Sequence, residues 1–170
     1  MAYFPLFVNL EGKSVLVVGG GTIAARRVRT LLEFGCEIRV VAPKISDEMK
    51  ELVHSRRVQW ACEAYCGLEH ACVPEKKPFF VLAAAFADVN QTVVEDCRRT
   101  GIPVNDASKK ENCDFYFPGL VKDGDAVVGI TAGGKDHKLA SALTSNIRSM
   151  VNELKNKKPG TPGLTDVPDK

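Results

Sequence analysis

Gly19-Gly20-Gly21-Thr22-Ile23-Ala24 fits the pattern G-x-G-x-x-A. Between a strand and a helix, Gly19 would permit a tight turn, Gly21 would let a diphosphate approach the backbone, and Ala24 would let helix and strand pack closely. The first helical turn would then offer N–H groups and a positive dipole end to phosphates. Dinucleotide binding is the chemistry this pattern suits, with a ligand-free glycine turn as the alternative. The next strand ends in Ala42-Pro43-Lys44 and offers no Asp or Glu for an adenosine ribose. Lys44 would also suit a 2′-phosphate, so the spacing alone does not separate NAD from NADP.

Asp106, near the end of a late apolar run, is either a proton acceptor or an ordinary cap of its own loop. On residue type alone Lys109, Lys110, Lys135 and Lys138 read as solvated surface lysines. His137 could carry a proton near neutral pH or simply stand exposed. Cys62, Cys66, His70 and Cys72 read C-x3-C-x3-H-x-C, which is not a zinc spacing, and no metal is expected.

The elements that must position these groups follow from periodicity. Ser14–Val18 is an uninterrupted apolar run, as expected of a parallel strand covered on both faces. From Thr22 the period becomes helical, with Ala24, Val28, Leu31 and Leu32 on one side and Gly35 as the stop. Further strands are expected at 37–42, 58–61, 79–83 and 102–105, with a helix capped by Ser46 and another at 89–99 closed by Gly101. Alternating strands and helices predict a doubly wound, Rossmann-type parallel sheet of five strands over residues 1–113. A hairpin then follows, with strands at 115–121 and 126–131 about an Asp-Gly turn. A final helix carries Leu139, Leu143, Ile147, Met150 and Leu154 as an apolar stripe that needs a partner surface. The unit 114–155 is therefore expected to mediate dimerisation, and the Pro- and Gly-rich stretch 156–170 to be disordered.

The sequence has 170 residues, and its net charge of +2 excludes a general bias toward nucleic acid or acidic membranes. The longest nearly apolar stretch, 78–87, is about half a bilayer span, and the N-terminus lacks the pattern of a secretory signal. A cytoplasmic protein with reduced thiols is expected. The Asn90-Gln91-Thr92 sequon would then carry no meaning. Cys113 is expected to be buried where the two units join.

Phe4-Pro5-Leu6-Phe7-Val8 with Gly12-Lys13, VLVVGGGTIAARRV at 15–28 and VVAP at 40–43 resemble the bifunctional precorrin-2 dehydrogenase and sirohydrochlorin ferrochelatase family. So do Val104-Asn105, Cys113 with Phe115-Tyr116-Phe117-Pro118, and Gly133-Gly134. The resemblance runs in order over residues 4 to about 150 and implies NAD-dependent oxidation of precorrin-2 to sirohydrochlorin in a homodimer. It implies cofactor contacts at Thr22, Ile23, Pro43 and Lys44, with Ala83 and Ala84 bordering the cofactor, and a polycarboxylate substrate for which Lys109, Lys110, Lys135 and Lys138 are candidate cations. The family's VVAP strand end also lacks the acidic residue, which favours NAD.

Several positions depart from that family. Its important aspartate, three residues after the Asn of V-N, corresponds to Ser108, while this chain has Asp106. Asp106 and Ser108 are therefore the candidate catalytic positions. Ala85-Phe86-Ala87 stands where the family commonly has Thr and Asp after two alanines, and Lys135-Asp136-His137 where it has Thr-Ser-Pro. Asp136 is still a good helix cap. The family continues into a longer helical region, whereas this sequence stops after one helix, which weakens the expectation of ferrochelatase activity. The rival expectation is a non-catalytic dinucleotide-binding module that regulates tetrapyrrole metabolism, and a dehydrogenase of another small substrate is a third.

Overall fold

The computed structural model describes residues 4–55, 57–72, 76–133 and 135–156. They belong to two compact units, one of residues 7–116 and one of 4–6 with 117–156.

The larger unit alternates strand and helix as β1 (Ser14–Val18), α1 (Thr22–Leu31), β2 (Glu37–Val41), α2 (Asp47–His54), β3 (Val58–Ala61), α3 (Leu68–Ala71), β4 (Phe80–Ala83), α4 (Ala87–Thr100) and β5 (Val104–Asp106). Its strands form one parallel sheet in the order β3-β2-β1-β4-β5. Successive side chains of a strand point to opposite faces. Leu16 and Val18 of β1 join a core cluster with Val93, Val94 and Cys97 of α4. Val15 and Val17 alternate with them and are equally buried. Both faces are thus covered, which is why β1 has no polar interruption.

The expected punctuation is present. Gly35 and Gly101 take left-handed conformations, with φ of 70° and 65°, where the helical segments end. The Ser46 hydroxyl accepts the Met49 N–H at 3.3 Å and caps α2. Some boundaries differ from the periodic reading. A one-turn helix, α3, was not foreseen, and α4 begins at Ala87.

The smaller unit is an antiparallel hairpin, β6 (Gly119–Asp123) and β7 (Ala126–Ile130), with the helix α5 (His137–Asn156). Strand β6 starts four residues later than the expected 115. Proline has no N–H for a ladder, which makes Pro118 a natural stop before the hairpin. The segment ahead of it returns to the larger unit instead. The Phe80 and Phe115 rings lie 4.8 Å apart, and Asp114 pairs with Val104 through Asp114 N–H to Val104 O and Val104 N–H to Asp114 Oδ2, both at 2.9 Å. These bonds carry the larger unit to residue 116, three residues past the expected boundary at 113. Within the smaller unit, Arg148 donates to Leu120 O at 3.2 Å and Lys155 pairs with Asp123, while Asp136 caps α5 through Leu139 N–H at 2.8 Å. The stripe residues Leu139, Leu143, Met150 and Leu154 stay exposed. Of the stretch 156–170, only Asn156 lies among the described residues, and it closes α5.

Candidate functional site

Three loops leave the carboxyl ends of parallel strands: 19–21 after β1, 84–86 after β4 and 107–109 after β5. Strand β1 is flanked by β2 and β4, so the winding of the sheet reverses between β1 and β4. In open α/β sheets that reversal opens the ligand crevice.

The glycines of the first loop have different physical tasks. Gly19 sits at φ 111°, its N–H donates to Val41 O at 2.9 Å, and a Cβ there would run into the Ala84 carbonyl. A side chain on Gly20 would meet Ile45 and the Lys44 carbonyl, and Gly20 O accepts the Ser46 N–H at 2.8 Å. The loop is thereby pinned between β4 and the start of α2, which brings Pro43 and Lys44 alongside. Gly21 is different: its backbone is extended, with φ −76° and ψ −178°, and nothing lies within 4 Å of where its Cβ would be. No side-chain hydrogen bond caps α1 at Gly21. A diphosphate fits this cradle, because helix amides and dipole favour an anion there. Thr22 and Ile23 are exposed beside it and Ala24 is buried against the sheet. Ala83 is buried in β4, and Ala84 N–H donates to Val18 O at 2.7 Å, which sets β4's loop next to the glycines.

Asp106 ends β5 and is buried, with both carboxylate oxygens in use. Its Oδ1 accepts from Ser108 Oγ at 2.6 Å, Ser108 N–H at 2.8 Å, Asn90 Nδ2 at 3.1 Å and Lys109 N–H at 3.3 Å. Its Oδ2 accepts from Asn112 Nδ2 at 2.8 Å. Burial pushes the carboxyl's pKa up, but the hydrogen bonds from Ser108, Asn112 and the loop amides outweigh it and hold the group below its ordinary value. Of the two roles open for Asp106, this geometry is that of the loop cap. Ser108 is the exposed member of the pair.

Asn90, fully buried at the start of α4, joins the two loops. Its Oδ1 accepts the Ala85 N–H at 2.9 Å, while Nδ2 donates to Asp106 and to Ser108 Oγ, each at 3.1 Å. Arg27 of α1 donates to Asn105 Oδ1 at 2.5 Å, and Asn105 Nδ2 donates to Phe115 O at 2.7 Å. Burial lowers the Arg27 pKa, opposed by the nearby Cys113 and Asp106. Asn90, Asn112 and Arg27 were not anticipated. One signal existed: Asn90 shares the i, i+3, i+4, i+7 stripe of α4 with Val93, Val94 and Cys97, where an apolar residue is expected.

Cys113 is half-buried within the larger unit, its Sγ donating to Asp106 O at 3.2 Å and accepting the Asp106 N–H at 3.3 Å. Burial raises its pKa, so it is a structural thiol. Lys109 is exposed and Lys110 half-buried on the loop after β5, whereas Lys135 and Lys138 are exposed on the smaller unit. His137 is exposed in the first turn of α5. Among the described residues no three His, Cys, Asp or Glu side chains gather as a metal site, and no helix is long and apolar enough to cross a membrane.

Residues 6–119 match the family described as "Putative NAD(P)-binding". The chain is 37% identical over 150 residues to a probable multifunctional siroheme biosynthesis protein HemA of Ruminiclostridium josui, covering 86% of this chain and 28% of that protein. It is 36% identical over 155 residues to a siroheme synthase of Stutzerimonas stutzeri, covering 89% of this chain and 32% of the relative. The chain thus spans about a third of the length of these curated relatives. Among solved structures it is similar to SirC, a precorrin-2 dehydrogenase, with a TM-score of 0.70 and 28% identity, covering 87% of this chain and 71% of that one. The glycine cradle, the sheet order and a match over the whole of the larger unit agree, and the chain belongs to this NAD(P)-binding family.

Proposed function

We propose that this chain is a precorrin-2 dehydrogenase that oxidises precorrin-2 to sirohydrochlorin with NAD in siroheme biosynthesis. The observation that carries the reading is the uncapped first turn of α1 behind an open Gly21, in a chain similar to siroheme synthases and to SirC. NAD is preferred to NADP because the family resemblance gives Pro43 and Lys44 to a strand end without an acidic residue.

In this reading the amides of Thr22 and Ile23 hold the diphosphate, Pro43 and Lys44 border the adenosine, and Ala83 and Ala84 leave room for the nicotinamide. Bound NAD supplies a hydride acceptor. Precorrin-2 gives up one hydride and one proton, so the protein must chiefly hold two reactants together. Asp106 fixes Ser108, whose hydroxyl proton points to Asp106 and one of whose lone pairs accepts from Asn90. A hydroxyl has two lone pairs, so one remains for a donor on the substrate. Ser108 orients the substrate in this way, and the proton leaves to water. Lys109 and Lys110 meet the substrate's carboxylates, and Lys135 and Lys138 are the corresponding candidate cations of the smaller unit taken by itself. The exposed stripe of α5 is the face of a homodimer, and the free cysteines suit the cytoplasm.

Mixing protein, precorrin-2 and NAD and following sirohydrochlorin absorbance tests the reading. Sirohydrochlorin formation that stops in Gly21→Asp supports it. The hydrogen bonds that tie Asp106 into its own loop favour a second reading: a regulatory NAD-binding module. NAD binding without sirohydrochlorin formation would select that one.

A further inference from the structure

Phe86 is an anomaly of the proposed site. It is 84% exposed, in a loop at the crevice between β1 and β4, where a large apolar side chain gains nothing for the fold. Isolated exposed apolar residues are common, and exposure alone has no meaning. What sets Phe86 apart is that its backbone is fastened. The N–H of the preceding Ala85 is held by Asn90 Oδ1 at 2.9 Å, and Phe86 O accepts the Asn90 N–H at 2.9 Å. Asn90 thus holds the peptide group that follows Phe86, through Phe86 O, and the one that enters Ala85, through Ala85 N–H.

The same Asn90 donates to Asp106 and Ser108, so the loop after β5 is tied to the loop after β4. The joined rim carries an exposed aromatic ring, an exposed hydroxyl at Ser108 and an exposed ammonium at Lys109. That combination complements a flat conjugated ring with acidic substituents. The cofactor's share of the crevice is built from residues that let it come close, Gly21, Ala83 and Ala84. Phe86 lies two residues beyond Ala84 on the outgoing chain.

We propose that Phe86 is a substrate-specificity residue: its ring forms a fixed shelf against which the tetrapyrrole's macrocycle packs, with Asn90 as the residue that holds the shelf. The proposal rests on the precorrin-2 reading, and it can be tested apart from turnover because sirohydrochlorin, the product, can be titrated directly.

The experiment compares wild type, Phe86→Ala and Phe86→Tyr in three measurements: sirohydrochlorin Kd by absorbance titration, NAD Kd, and KM for precorrin-2. Phe86 makes no core contact, so both variants fold. The expected result is that Phe86→Ala weakens sirohydrochlorin binding and raises KM by about tenfold, from lost ring packing. Phe86→Tyr stays within about twofold of wild type, and NAD affinity is unchanged in both. A wild type that binds sirohydrochlorin but turns nothing over, with binding still weakened in Phe86→Ala, ends the assigned reaction and keeps the shelf. Normal turnover with Kd and KM unmoved in Phe86→Ala overturns the shelf and keeps the reaction. A parallel loss of NAD affinity makes Phe86 a cofactor contact and overturns the proposal, as does a wild type with no affinity for sirohydrochlorin.

Discussion

The indole N–H of Trp60 donates to the backbone carbonyl of Ala42 at 2.9 Å, which ties the chain's only tryptophan to the strand end that leads into Pro43 and Lys44. Trp60 is 37% exposed, so its emission reports on that edge. NAD binding is expected to quench its fluorescence with a saturable dependence. Trp60→Phe should remove the signal while a calorimetric Kd changes by less than about fivefold, since a single exposed-edge hydrogen bond is worth about 1 kcal/mol. Saturable binding by calorimetry with no change in emission would remove the nucleotide from this edge.

Gly19 and Gly21 should respond in opposite ways to substitution. Gly19→Ala forces a side chain into positive φ and into the Ala84 carbonyl, and a loss of about 3 kcal/mol in urea unfolding is expected. Gly21→Asp meets neither strain nor a neighbour, so stability should change by less than about 0.5 kcal/mol. Its carboxylate would occupy the anion's place, and NAD affinity should fall by at least about 100-fold. If Gly21→Asp binds NAD normally, the cradle is not the diphosphate site.

Asp106 links protonation to stability. Its native pKa lies below the ordinary 3.8, so the unfolded chain takes up the proton first as pH falls. The stabilisation is complete above the ordinary value and disappears as pH drops through the depressed native one. Asp106→Asn should flatten the decline in melting temperature between about pH 5 and about pH 2. Asp106→Ala leaves several buried donors unpaired and should cost about 3 kcal/mol at neutral pH. An acid limb unchanged in Asp106→Asn would assign the titration to other carboxylates.

Thiol reactivity should divide the cysteines. Burial pushes the Cys97 thiol up to about 12 and also raises Cys36. At neutral pH an alkylating reagent should modify the exposed Cys62 and Cys66 and leave Cys36 and Cys97 intact until the protein unfolds. Mass spectrometry of peptides from partly modified protein reads this directly, and early labelling of Cys97 would mean that α4 opens locally.

The five parallel strands and the glycine loop are legible because their signals are local. An unbroken apolar run, three glycines and a helical stripe sit side by side between Ser14 and Leu31. Asp106 was visible as a candidate, but its role was not. The donors that hold it come from residues 90, 108, 109 and 112, and no period or motif connects those positions. Asn90 was hidden in the same way, since a sequon draws attention while a polar residue on an apolar stripe does not. The hairpin's first strand was placed too early because Phe115-Tyr116-Phe117 has the composition of a strand. Its packing partner, Phe80, is far away in the chain and decides otherwise.

Asp114 occupies Val104 on the outer side of β5 through both a backbone bond and a carboxylate bond. An open sheet margin is a template for strand addition from another molecule, and so a hazard for fibril growth. With β5 only three residues long and its first amide and carbonyl already taken, that margin offers almost no ladder to an incoming chain. Self-association of this protein by sheet extension is therefore closed at this end, and weakening Asp114 would reopen it.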